Sequence, residues 1–149
     1  MTRYCLDTQL YIEAARDREK AEELKGFVAA AMPFLFLHAV VVQEMLAGAT
    51  TPKWRRAITR DILAPFERRR RLIVPEYSAL RRSGEIVSDL VKRRIKSPDG
   101  VRPSFMNDAL LAASCRQAGV TLITRNVKDF EAIAKVESVA YAAPWPGLE

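Results

Sequence analysis

A chain of 149 residues with 49% hydrophobic and 28% charged residues has room for one domain, and a chain of this size buries roughly 70% of its unfolded surface. No apolar run reaches the ~18 residues of a membrane span, and "MTRYCLDTQ" lacks the features of a signal peptide, so a cytoplasmic protein without membrane contact is expected. Two cysteines, Cys5 and Cys115, without zinc spacing and a single histidine, His38, exclude a disulfide framework and a His-rich metal site.

In chain order, "RYCLD" reads as a short apolar strand and "TQLYIEAAR" as the start of a helix behind it. "DREKAEELKGFVAAAM" carries Ala21, Leu24, Phe27, Val28 and Ala31 at helical spacing until Pro33 stops it. "FLFLHAV" predicts a second strand, with His38 as a core or strand-end residue, and "VVQEMLAGA" a short helix closed by Gly48. "KWRRAITRDILAPFERRR" predicts a long amphipathic helix bent at Pro65. "RLIVP" predicts a third strand, "EYSALRRSGEIVSDLVKRRIK" a helix with a possible break at Gly84, and "SPDGVRPS" a loop. "FMNDALLAASCRQAG" predicts a helix capped by Ser104 and ended by Gly119, then a fourth strand "VTLIT", a helix "VKDFEAIAK", a fifth strand "VESVAYA" and an irregular tail.

Strands separated regularly by helices imply a parallel sheet covered on both faces, with the site beyond the carboxyl ends of its strands. Asp7 stands at one such end, and Arg125 and Asn126 at another. The charge is uneven. From Pro52 to Pro103 there are fifteen Lys/Arg against six Asp/Glu, a balance of +9, whereas the remainder balances to −3. Such a basic middle is either a solvated helical face or the contact surface for a polyanion. Trp54, Arg55, Arg56 and Arg60 are placed to flank a groove, whereas Arg68 to Arg71 fall at the opposite end of the sheet.

Four acids stand out by context. Asp7 either caps the first helix or joins a cluster. Glu44 shares a helical face with Val40, Val41, Ala47 and Gly48, an expensive place for a charge unless it is paired or the side chain turns to water. Asp108 begins the stripe of Ser104, Leu111, Ala112 and Cys115, or merely faces the helix dipole. Asp129 follows the fourth strand in "TRNVKDF", where it could simply favour the start of a helix. Brought together, such carboxylates repel and need a cation. Oxygen donors without Cys or His suit Mg²⁺ or Mn²⁺, which can activate water and offset charge on a phosphodiester.

The pieces "YCLDTQLYIEA", "VVVQEMLAGA" and "NDALLAASCRQAGVTLITRNVKDF", in this order and at these separations, resemble the PIN-domain proteins, most closely the VapC-type ribonuclease toxins of toxin–antitoxin pairs. The resemblance covers nearly the whole chain, read as a single nuclease domain over 1–149. It implies a three-layer α/β/α sandwich around a mostly parallel sheet of about five strands, and metal-dependent cleavage of RNA. By position, Asp7 and Asp108 match the principal metal ligands, Glu44 completes the cluster and Asp129 the last family acid. Asn126 stands where many members have Asp, and brings an amide without charge. Thr8 matches the hydroxyl that follows the first acid, and Arg125 and Arg102 are candidates for substrate phosphate. The resemblance also implies a small antitoxin partner and a homodimer, and the exposed faces of "LYIEAARDREKAEELKGFVAA" are the candidates for antitoxin contact. Two other functions fit the same residues: a housekeeping RNA-processing nuclease of this family, or a non-catalytic RNA-binding module using the basic middle alone.

Overall fold

Each apolar strand stops at a polar residue that opens the following helix, and this alternation sets the architecture. The structure, a computed structural model, describes residues 1–148; Glu149 of the expected irregular tail lies outside the described residues. The strands are β1 (Tyr4–Leu6), β2 (Leu35–His38), β3 (Leu72–Ile73), β4 (Thr121–Ile123) and β5 (Tyr141–Ala142). They form one sheet in the order β3-β2-β1-β4-β5, every neighbouring pair parallel, with Cys5 opposite both Phe36 and Leu122. Cys5, Leu6, Leu35, Leu122 and Ile123 are fully buried, as a sheet covered on both faces requires.

The first helical group is α1 (Thr8–Arg16), α2 (Arg18–Ala31), α3 (Ala39–Gly48), α4 (Pro52–Ile58) and α5 (Ala64–Arg68). The second is α6 (Tyr77–Lys92), α7 (Pro103–Ala118) and α8 (Val127–Ile133). Right-handed crossovers that step left from β1 to β2 to β3 and then right to β4 and β5 put these groups on opposite faces. The result is the expected three-layer sandwich. The chain order reverses between β1 and β4, so the switch point opens beside Asp7. No helix among the described residues is long and apolar enough to cross a membrane.

Several local expectations change. The bend near Pro65 is a π turn, Thr59–Leu63, that joins α4 to α5. Proline has no N–H to give to the ladder, and the hydrogen bonds shift register just before it. α6 runs unbroken through Gly84, where an added Cβ would meet nothing within 4 Å. α7 begins one residue before Ser104, because Pro103 takes the first helical turn and Arg102 the cap. Gly48 ends its helix without a left-handed turn. β5 shrinks to the two residues that pair with Leu122 and Ile123 of β4.

α6 and α7 pack antiparallel, with Ser78 near Gln117 at one end and Lys96 over Phe105 at the other. Buried Glu137 ties them to the stretch after α8, accepting from Arg82 at 3.1 Å and pairing with Arg116. Gly119 closes α7 at φ 68°, and a Cβ there would lie 3.0 Å from an Arg3 guanidinium nitrogen. Gly119→Ala is therefore expected to cost ~1–2 kcal/mol, mostly backbone strain since Arg3 can move aside. The check is a lower urea midpoint at unchanged slope.

Candidate active site at the strand ends

Asp7 does both things its position allows. Its Oδ1 accepts from Thr8 N–H at 2.8 Å, capping α1, and its Oδ2 accepts from the Thr124 hydroxyl at 2.7 Å. Its own N–H donates to Ile123 O at 2.9 Å, pinning the end of β1 to β4. Asp7 is 8% exposed, and burial pushes its carboxyl above the ordinary range. The bonds from Thr124 and Thr8 oppose that rise, and the charge of Glu44 adds to it.

Glu44 projects from α3, and its Oε1 accepts from the Thr8 hydroxyl at 2.6 Å. Its Oε2 lies 3.4 Å from the Asn107 amide. The face it shares is apolar only in part: Val40 and Val41 are buried, but Ala47 and Gly48 are exposed. Asp108 sits above the buried stripe Leu111, Ala112 and Cys115 of α7. Burial, followed by the charges of Asp7, Asp129 and Glu44, pushes its carboxyl up to about 8; Lys96 works the other way. Asn126 bridges two acids, its Nδ2 donating to Asp108 Oδ2 at 3.1 Å and Asp129 Oδ2 at 2.9 Å.

The structure thus brings Asp7, Thr8, Glu44, Asp108, Asn126 and Asp129 near one another at the switch point. Arg125 faces away from it toward α1 and α2, its Nε 2.7 and 2.8 Å from the two oxygens of Glu13. Its Nη2 lies 3.9 Å from Glu23. Arg102 is exposed at the start of α7. His38 is a strand-end residue that caps α3, its Nδ1 accepting from Val40 N–H at 3.0 Å. Burial pushes it down to about 4, so it stays neutral. Thr124, Asn107 and Lys96 were not legible as site residues. Thr124 looks like the last residue of an apolar strand, and Lys96 is one of many cations in "KRRIKSPDG".

The donor set is oxygen and amide only, the chemistry of a hard divalent cation. Among the described residues, no three His, Cys, Asp or Glu side chains form a ready ligand cluster for an ion. Two carboxylates completed by water would suffice for Mg²⁺, which usually keeps several of its waters. Burial, followed by the charges of Asp7, Asp129 and Glu44, pushes the Asp108 carboxyl up to about 8, and a bound cation would offset both.

The PIN domain family model matches residues 4–136. No curated protein sequence matches the chain. Among solved structures, it is similar to a chain of DNA-bound VapBC from Salmonella typhimurium, with TM-score 0.73, 19% identity, and 96% of this chain and 98% of that one covered. FitAcB from Neisseria gonorrhoeae gives TM-score 0.69 at 22% identity, covering 95% and 98%. A toxin–antitoxin complex from Klebsiella pneumoniae gives 0.64 at 22% identity, covering 97% and 99%. At these identities the likeness is one of fold.

Proposed function

Because the chain belongs to the PIN domain family, we propose that it is a divalent-cation-dependent endoribonuclease, one nuclease unit acting as the toxin of a toxin–antitoxin pair. PIN domains are generally nucleases. The observation that carries the reading is the convergence of Asp7, Glu44 and Asp129 around Asp108 at the end of a parallel sheet, where burial and these charges push the Asp108 carboxyl up to about 8. The toxin assignment is supported by the fold likeness to VapBC, FitAcB and a further toxin–antitoxin complex.

In this reading Asp7 and Asp108 would hold Mg²⁺ or Mn²⁺, Glu44 would complete the acidic set, and Asn126 and Asp129 would close its far side. When bound, the ion supplies positive charge opposite the phosphate oxygens and makes a water acidic enough to attack at neutral pH. Thr8 and Asn107 orient Glu44 so that a carboxylate oxygen can take that water's proton. Thr124 fixes the Asp7 rotamer and stabilises its ionised form. Arg102 adds a cation at the rim for the RNA backbone, whereas Arg125 is held at the Glu13 carboxylate away from the acids. Thr124→Val, which keeps the shape and removes the donor, should weaken Mn²⁺ binding by about tenfold in a calorimetric titration, the low end for a ligand's supporting contact.

The antitoxin has a candidate seat. Tyr11, Leu24, Val28, Met32, Ile62 and Phe66 line an apolar groove of about 460 Å³ between α1, α2 and the α4–α5 arm. A homodimer is part of the same proposal. The purified chain, incubated with single-stranded RNA, tests the enzyme: cleavage with Mg²⁺ and none with EDTA is expected. Growth arrest on expression, relieved by the neighbouring small reading frame, tests the toxin; ordinary growth with active enzyme favours an RNA-processing role.

A further inference from the structure

We propose that the Lys96 ammonium and the Asn126 amide together stand in the place of a second divalent cation between Asp108 and Asp129, so that the pocket takes up one ion per chain. This rests on the metal-site reading above. The two acids face each other across Asn126, whose single nitrogen donates to an oxygen of each. The other oxygen of Asp129 lies 3.6 Å from Lys96 Nζ. Both oxygens of Asp129 thus already face donors of the chain itself, one an amide and one a full positive charge.

Lys96 is not a passing surface cation. Its Nζ sits 4.2 Å from the centroid of the Phe105 ring, a buried side chain at the start of α7. The loop between α6 and α7 closes around its stem: a Cβ added at Gly100 would lie 3.3 Å from Lys96 Cε and 3.7 Å from Cδ. Its side chain is only 24% exposed. A lysine held by ring, loop and carboxylate keeps its charge in one place at little further entropy cost. A second dication there would have to displace the ammonium and leave it beside a doubly charged ion, which Coulomb repulsion opposes. Asn126, neutral where a carboxylate would draw that ion in, removes the compensating ligand.

Mn²⁺ titration by calorimetry, with electron paramagnetic resonance to detect spin-coupled pairs, tests the inference on the full chain. Wild type should bind one Mn²⁺ without a coupled-pair signal. Lys96→Met keeps the stem on Phe105 and should tighten that ion on the order of tenfold by removing a nearby positive charge. The double variant Lys96→Met, Asn126→Asp should bind two ions, and Lys96→Arg should stay at one. Two ions in wild type, or one in the double variant, overturns the inference and leaves the nuclease reading standing. Absence of Mn²⁺ binding by every variant overturns both.

Discussion

Asp7→Asn and Asp108→Asn should each lower RNA cleavage by roughly 10³-fold or more, about 4 kcal/mol of barrier, while RNA affinity stays within a few-fold of wild type. Each amide keeps the size of the acid it replaces and loses the anionic oxygen proposed to hold the cation. For Asp7 the change also turns an acceptor into a donor facing either Thr8 N–H or the Thr124 hydroxyl. RNA affinity should persist because it draws on the +9 stretch from Pro52 to Pro103, whose cations neither substitution removes. Cleavage by gel and binding by fluorescence anisotropy, measured on the same preparations, separate the two effects. Retained cleavage in both variants would reject this pocket as the active site.

The second large effect is on stability. Asp108 titrates near 8 in the folded protein against 3.8 for the ordinary carboxyl, and Asp7 is raised as well. Between those values the folded state holds a proton that the unfolded chain has released, so stability falls as pH rises. It is fully present below about pH 4 and lost by about pH 8, provided metal is absent. Each pH-unit of displacement corresponds to about 1.4 kcal/mol. Water reaching the partly open carboxyl reduces the total, which leaves on the order of 2–3 kcal/mol, or about 5–10 °C in melting midpoint. Asp108→Asn should flatten this dependence and melt higher than wild type at pH 8 in EDTA. Mn²⁺ should restore wild type at pH 8 and do little at pH 5, where protons compete for the same oxygens. Thermal melts across pH, with and without Mn²⁺, read all four expectations.

The sequence made the sheet legible because parallel strands buried on both faces need unbroken apolar runs, and "YCL", "LFL" and "TLI" have little else to be. Edge strands were harder. β3 and β5 each pair on one side only, and their ladders end before the apolar run does. Asp7, Glu44, Asp108 and Asp129 were visible because a carboxylate against an apolar stripe needs a reason. Lys96 was not, since a lysine in a polar loop looks ordinary until the loop folds back and sets it on Phe105. The opposite happened to Arg125, prominent after β4 in the sequence but held at the Glu13 carboxylate, away from the acids. In both cases the deciding fact is which way a side chain points from a loop, and periodicity carries no information about that.

Anomalous diffraction from crystals grown with Mn²⁺ measures the central proposal most directly. One peak per chain is expected, about 2.1 Å from oxygens of Asp7 and Asp108, with the Lys96–Asp129 side of the pocket free of metal. A peak remote from these carboxylates in a protein that still cleaves RNA would contradict the account.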